Sequence, residues 1–195
     1  MRLQVLEHGH RTPARAFMAM ARIIFRHDVD DVVKTALHRP EFFGKQLLLL
    51  VGSVLRGPSF WTPGEREHMA AHISRLNECP FCVREHSEIA RLASHGEIGP
   101  EAITARRPEV AAIVPLLEKA SKTPTEVSFA DIRRVREAGV PDDAIVDALH
   151  VALIFNTVNR LANAFDCSWD SDQHVLAGAK VIQRFRYRLP GFVLR

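Results

Sequence analysis

Residues 62–89 read TPGEREHMAAHISRLNECPFCVREHSEI, and this stretch predicts two consecutive α-helices. Thr62 can cap the first helix, Pro63 suits its first position, and Glu65 stands where a capping-box partner belongs. Pro80 suits the first position of the second helix, directly after a cysteine. The first helix is expected to run to about Asn77, and the second to begin at Cys79 and Pro80.

The rest of the chain continues this helical pattern. Apolar residues recur at helical spacing between prolines and glycines, and no segment shows the alternation typical of a strand. Helices are expected over residues 13–25, 28–37, 42–55, 63–77, 79–95, 108–122, 128–138, 141–165 and 172–187. The segment 42–55 is apolar nearly all round and is expected to be buried. The sequence thus predicts an all-α bundle without an internal linker.

The composition is that of an ordinary folded protein. Apolar residues make up 47% and charged residues 25% of the 195 residues, and the net charge is only +3. Lys180, Arg184 and Arg186 come late in the last predicted helix, where the helix dipole explains them, so we expect no nucleic-acid partner. Arg22 interrupts the first apolar stretch, which argues against a signal peptide, and the apolar run 47–55 is too short to span a bilayer. We expect a cytoplasmic protein with no membrane partner, a setting in which cysteines rarely form structural disulfides.

The second helix of the pair carries the chemically informative residues. Cys79, Cys82 and His86 lie within about 60° of one another around a helix, so they face one way. Two thiols one turn apart can close to a disulfide, the helix N-terminus favours a thiolate, and His86 can accept a thiol proton. Glu67 lies twelve residues before Cys79 and can join this group if the two helices pack together.

Two other interpretations of these residues compete with a redox dithiol. The cysteines could be small core residues, or they could bind zinc together with His86 and a fourth ligand. No second cysteine or histidine pair follows at zinc-finger spacing, so we expect no metal. His68 and His72 also have metal-ligand spacing, but a polar, partly exposed helix face explains them at least as well.

The pattern Glu67, eleven residues, Cys79-x-x-Cys82, three residues and His86 resembles the signature of the AhpD-like superfamily of alkylhydroperoxidases and carboxymuconolactone decarboxylases. Residues 62–89 carry the match. Residues 155–164, FNTVNRLANA, also resemble the later helix of the peroxidase-related members.

This resemblance implies one AhpD-like domain over residues 1–195, with 1–60 as a helical extension and 61–195 as the core. It implies a homo-oligomer that reduces a peroxide through a Cys79–Cys82 dithiol and disulfide cycle. By position, Cys82 would attack the peroxide, Cys79 would resolve the product, and Glu67 and His86 would relay protons. A purely local argument favours Cys79, nearer the helix start, as the more acidic thiol.

The resemblance has one departure, because Phe81 stands where the best-known peroxidases of the family have a histidine. A spent dithiol needs an external thiol or disulfide reductant, and no glycine-rich dinucleotide fingerprint appears, so we expect no cofactor. A lyase acting on a small lactone acid and a non-catalytic redox sensor are the alternative functions. The lyase would need proton transfer but no dithiol, and the sensor would change its helix packing on oxidation.

A polar stripe marks the predicted helix over residues 141–165. Asn156, Asn159, Arg160 and Asn163 recur at helical spacing on an otherwise apolar helix. Buried polar groups need hydrogen-bond partners, so a structural network is expected here rather than a catalytic role.

Overall fold

The computed structural model describes residues 1–96 and 107–194, and these residues form an all-α bundle. No strand occurs in these two ranges, which confirms the fold class predicted from the sequence. In chain order the α-helices are α1 (Val5–His8), α2 (Thr12–Phe25), α3 (Asp31–His38), α4 (Lys45–Arg56), α5 (Pro63–Leu76), α6 (Pro80–Ala93), α7 (Pro108–Lys122), α8 (Phe129–Glu137), α9 (Asp142–Phe165) and α10 (Asp172–Phe185). A π-helical turn over Pro40–Gly44 leads into α4, and 3-10 turns cover Pro124–Glu126 and Gly191–Leu194.

The N-terminal part departs most from the sequence prediction. Helix α1 was not predicted, and α3 begins at Asp31 because the Asp30 side chain caps it by accepting from the Val33 amide at 2.8 Å. Gly44 allows the π-helical turn to approach α3, since an added Cβ would lie 1.8 Å from the Ala36 carbonyl oxygen.

Helix α4 is only half-buried, so the expectation that segment 42–55 is buried is wrong for its outer face. Its inner stripe is buried and consists of Leu47, Leu48, Val51 and Leu55. Leu49 and Leu50 point outward and are 56% and 49% exposed. The apolar run therefore forms one wall of the core and also an apolar stretch of surface.

The pair α5 and α6 lies at the centre of the molecule. The predicted capping box is present, with the Glu65 amide donating to Thr62 Oγ1 at 3.2 Å and the Thr62 amide donating to Glu65 Oε2 at 2.8 Å. Gly64 permits the close approach of α5 to the end of α6, because an added Cβ would lie 3.2 Å from Ser94 Cβ. Almost every residue of α5 is buried.

Helix α9 packs across this pair and supplies a large share of the main core. Within the described ranges it is also the one helix long and apolar enough to cross a membrane, by length and composition alone. Half of the apolar window is buried inside the molecule, and core helices of soluble proteins pass the same test.

The N-terminal helices pack against the main core and against the C-terminal turn. Leu47, Val51 and Leu55 of α4 join the main core. A second, smaller cluster is built around Ala14, Leu37 and Val193 and ties α2 and α3 to the C-terminal turn. The boundary at residue 60 between extension and core stays a prediction.

Candidate functional site

The two cysteines of the motif lie at the start of α6, as the sequence predicts. Cys79 is the N-cap residue, and Cys82 lies in the first turn. Both are free thiols and are buried, with 0% and 1% of their surface exposed. The remaining cysteine, Cys167, is half-buried, and burial raises the pKa of its thiol to about 12.

The environment gives the two thiols of the motif opposite acidities. A hydrogen bond from the Cys82 side chain, with smaller help from the Cys82 backbone amide and the Asn159 side chain, outweighs burial and lowers the pKa of Cys79 to about 7. The same thiol contact and burial raise the pKa of Cys82 well above its ordinary value. The first proton therefore leaves from Cys79, which agrees with the local argument from its position at the helix start.

Glu67 and His86 are in direct contact across the α5–α6 pair. His86 Nδ1 and Glu67 Oε2 are 2.7 Å apart. The other carboxylate oxygen, Oε1, accepts from the Tyr187 hydroxyl at 2.8 Å and pairs with the Arg56 guanidinium at 2.5 Å. Glu67 is completely buried, so its charge is balanced only by protein groups.

These partners fix the protonation state of Glu67. Burial alone would raise the pKa of this carboxyl, but the His86 hydrogen bond, the Arg56 charge and the Tyr187 hydroxyl outweigh it and lower the pKa. An ionised carboxylate only accepts, so Nδ1 of His86 carries the proton and donates it to Glu67. In neutral His86, Nε2 is then the free base.

An apolar cavity opens beside these groups. Cys82 and His86 line it on one side, whereas Cys79 does not reach it. The cavity has a volume of about 140 Å³. Most of its remaining wall is apolar, and α2, α3, α4, α9 and α10 contribute residues that include Phe17, Val32, Leu47, Leu48, Val51, Phe155 and Val181. Cys82 is thus the thiol that a molecule in the cavity would meet.

The structure adds three polar residues that the sequence analysis did not assign to the site. Arg56 and Tyr187 hold Glu67, and Glu85 lines the cavity beside Cys82 and His86. Arg56 ends the leucine-rich helix α4, and Tyr187 is the only tyrosine of the chain, but neither feature indicates contact with Glu67. Glu85 lies three residues after Cys82, and that spacing places it on the same helix face.

The polar stripe on α9 forms a hydrogen-bonded network, as expected. Asn77 Nδ2 donates to Asn156 Oδ1 at 2.9 Å and to Asn159 Oδ1 at 3.0 Å. Asn159 Nδ2 in turn donates to Ser74 Oγ at 3.0 Å, and the Asn159 side chain favours a lower pKa for both Cys79 and Cys82. Asn159 therefore joins the polar network of α9 to the surroundings of the two thiols.

The histidines of α5 are not on an exposed face, so that interpretation is wrong. His68 and His72 are each 7% exposed, and burial lowers the pKa of His68 to about 4. His72 Nε2 lies 3.0 Å from Glu118 Oε1. Over residues 1–96 and 107–194, no group of three His, Cys, Asp or Glu side chains is arranged to hold a metal ion.

Comparison with known proteins supports the fold. No protein-family model and no curated protein matches the chain. An uncharacterized peroxidase-related protein from Silicibacter sp. TM1040 is similar in structure, with a TM-score of 0.72, 19% identity, and coverage of 89% of this chain and 93% of that chain. A second, described as an alkylhydroperoxidase AhpD core and an uncharacterized peroxidase-related protein from Ralstonia eutropha JMP134, has a TM-score of 0.71, 22% identity, and coverage of 87% and 92%.

The chain is therefore an all-α protein with the AhpD-like fold, which confirms the fold that the sequence resemblance implies. At these identities the likeness concerns the fold, and arguments about activity depend on the site itself. All four residues of the sequence pattern lie in one region, since Cys79 contacts Cys82, Cys82 and His86 share the cavity, and His86 contacts Glu67.

Proposed function

We propose that this protein is a thiol-dependent peroxidase of the alkylhydroperoxidase type that reduces peroxides through a Cys79–Cys82 dithiol and disulfide cycle. One observation carries the proposal: Cys82 lines an apolar cavity beside His86, whose Nδ1 is held by the buried Glu67 carboxylate 2.7 Å away. This arrangement leaves Nε2 of His86 as a base in the same cavity.

The proposed cycle balances with two thiols and one peroxide. His86 takes a proton from the dithiol, and the thiolate of Cys82 attacks the outer peroxide oxygen, so that the O–O bond breaks. Cys82 becomes a sulfenic acid, and an alcohol leaves. The Cys79 thiol then attacks the sulfenic sulfur, water leaves, and the disulfide closes. The peroxide is reduced by the two electrons that the dithiol loses.

The roles of the two cysteines depend on access as well as acidity. Cys79 has the lower pKa, but Cys82 is the thiol that lines the cavity. Because the Cys82 thiol stabilises the Cys79 thiolate, the proton of Cys82 can move to Cys79 as the peroxide approaches. We therefore assign the attack to Cys82 and the resolving step to Cys79, with Glu67 and His86 as the proton relay.

The cycle also needs a partner. A disulfide cannot reduce a second peroxide, so an external thiol or disulfide reductant must restore the dithiol after each turnover. We propose a cytoplasmic homo-oligomer that uses such a reductant and no bound cofactor.

Stopped-flow oxidation followed by mass spectrometry tests the proposal. Every variant carries Cys167→Ser as background, because oxidation of this third thiol would add mass changes of its own. We expect rapid disulfide formation in this background. Cys79→Ser should stop at a sulfenic acid on Cys82, and Cys82→Ser should lose the fast phase.

Two results would overturn this assignment. If both thiols react no faster than free cysteine, the peroxidase proposal fails, and the lyase alternative gains. If Cys82→Ser keeps the fast phase, the attacking thiol is Cys79.

Size-exclusion chromatography of the reduced and oxidised protein separates the enzyme from a redox sensor, which would change its assembly without consuming peroxide.

A further inference from the structure

Glu85 is a buried carboxyl group that the proposed cycle does not yet use. It lies between Cys82 and His86 on α6, is 5% exposed, and lines the same cavity as both of them. Its Oε2 atom is 4.0 Å from Nε2 of His86. Within the described ranges, no lysine or arginine forms an ion pair with it.

The surroundings of Glu85 favour the protonated, uncharged form of its carboxyl group. Burial is the main cause that raises the pKa of this carboxyl well above its ordinary value, and the negative groups Asp30, Glu67 and Cys79 raise it further. His86 is the basic group nearby, and it is already engaged by the ionised Glu67 through Nδ1. His174 and Arg188 also border the cavity. Glu85 therefore carries a proton in a cavity where most other walls are apolar.

Breaking a peroxide bond requires such a proton. When a thiolate attacks the outer oxygen, the other oxygen leaves as an alkoxide, a strong base that is poorly stabilised in an apolar cavity. A carboxylic acid beside the reacting sulfur removes that obstacle by donating a proton as the bond breaks.

We propose that Glu85 is the proton donor to the leaving oxygen of the peroxide, a catalytic role distinct from that of the Glu67–His86 pair. This inference rests on the proposed peroxidase function.

In this proposal, Glu85 and His86 return to their starting protonation states after each reduction of a peroxide. The Cys82 thiolate attacks, the O–O bond breaks, and the departing oxygen takes the Glu85 proton and leaves as an alcohol. Glu85 is then a carboxylate, and His86 holds the proton that it took from the dithiol. That proton returns from Nε2 to Glu85 across 4.0 Å, a separation short enough for transfer through one water molecule. Both groups thus regain their starting states.

The test compares two oxidants with different leaving groups. Cumene hydroperoxide expels a basic alkoxide that needs a proton, whereas peracetic acid expels a carboxylate that does not. The variant is Glu85→Gln, which has nearly the shape of the neutral acid but no acidic proton. Glu88→Gln is the matched control, because Glu88 lies one turn later on α6, pairs with Arg91 and does not line the cavity.

For Glu85→Gln we expect oxidation of Cys82 by cumene hydroperoxide to slow about 100-fold, and oxidation by peracetic acid to change by less than about 3-fold. Glu88→Gln should match the parent with both oxidants. Equal loss with both oxidants would mean that Glu85 only shapes the cavity, and no loss with either would mean that it has no role. Both results overturn the proposal.

The parent protein supplies a measurement that does not depend on the variant. Relative to free cysteine, the parent should accelerate cumene hydroperoxide reduction far more than peracetic acid reduction. Equal acceleration of both would contradict a proton donor while leaving the peroxidase function intact. No acceleration of either would instead refute the peroxidase function itself.

Discussion

Glu67 and Glu85 are two buried carboxyl groups on neighbouring helices, and their surroundings give them opposite charge states. Glu67 meets Arg56, His86 and the Tyr187 hydroxyl, and its pKa is lowered. Glu85 has no cationic ion-pair partner beyond His86 among the described residues, and its pKa is raised. Burial is nearly the same for both, so the partners and not the depth decide which side chain is a charged acceptor and which is an acid.

The largest expected effect comes from removing the charge of Glu67. Glu67→Gln leaves the Arg56 guanidinium buried without a counter-charge, which should lower the free energy of unfolding by about 3–5 kcal/mol. Urea unfolding measures this. The double variant Arg56→Met/Glu67→Gln should recover much of the loss, because it removes the orphaned charge. A loss as small as that of the control Glu88→Gln, which removes an ion pair with the half-exposed Arg91, would contradict the view of Glu67 as a charge-balanced group.

The Tyr187 hydroxyl should contribute less to the free energy of unfolding than the ion pair between Arg56 and Glu67. Tyr187→Phe removes one hydrogen bond to an ionised carboxylate, so we expect a loss of about 1.5–3 kcal/mol in unfolding free energy. Phe185→Leu serves as a control on the same segment, because Phe185 is half-exposed and has no polar group. A neutral effect of Tyr187→Phe would show that Arg56 and His86 satisfy Glu67 without it.

Cys79 and Cys82 are likewise two neighbouring groups whose surroundings shift their pKa values in opposite directions. The Cys82 thiol is the main cause of the low pKa of Cys79, so Cys82→Ala should raise that pKa from about 7 towards the ordinary value of 9.0. The ultraviolet absorbance of the thiolate against pH measures the shift. Cys167→Ala should leave it unchanged. If the pKa stays near 7 in Cys82→Ala, the helix N-terminus rather than the neighbouring thiol controls the acidity.

The pH dependence of Glu85→Gln separates the two carboxyl groups most directly. Because the pKa of Glu85 is raised in the folded state, the folded protein keeps the carboxyl proton at pH values where the unfolded chain has lost it. Glu85 therefore reduces stability as the pH rises above 4.5, its pKa in the unfolded chain. Glu85→Gln should lie within about 1 kcal/mol of the parent below that pH and become the more stable protein above it.

Glu67→Gln should show the opposite trend. Because the pKa of Glu67 is lowered, its stabilisation is present above 4.5 and is lost as pH falls through the folded-state value. The deficit of Glu67→Gln should therefore shrink in acid. Parallel pH dependences in urea unfolding for the two variants would refute the assigned charge states.

The central helix pair could be predicted closely from the sequence, whereas the enclosure of the site could not. Thr62, Glu65 and Pro80 are local start signals, and helical spacing alone places Cys82 and His86 on one face. Arg56 and Tyr187 reach Glu67 only through tertiary packing, which no local pattern encodes.

The same limit explains the errors. Segment 42–55 is apolar nearly all round, so its sequence does not distinguish the inner stripe from the outward Leu49 and Leu50. His68 and His72 are polar by type, but helix α5 is buried on nearly all sides, and the packing overrides that preference.

The bond between Tyr187 and Glu67 joins residues that lie 120 positions apart in the chain. Helices α5 and α6 are consecutive, so they can meet early in folding through local contacts. The last partner of Glu67 arrives only after the C-terminal segment has been made and has docked. We therefore expect a newly synthesised chain to hold its helix pair well before the carboxylate is fully satisfied. The finished site would then mark the end of folding rather than its beginning.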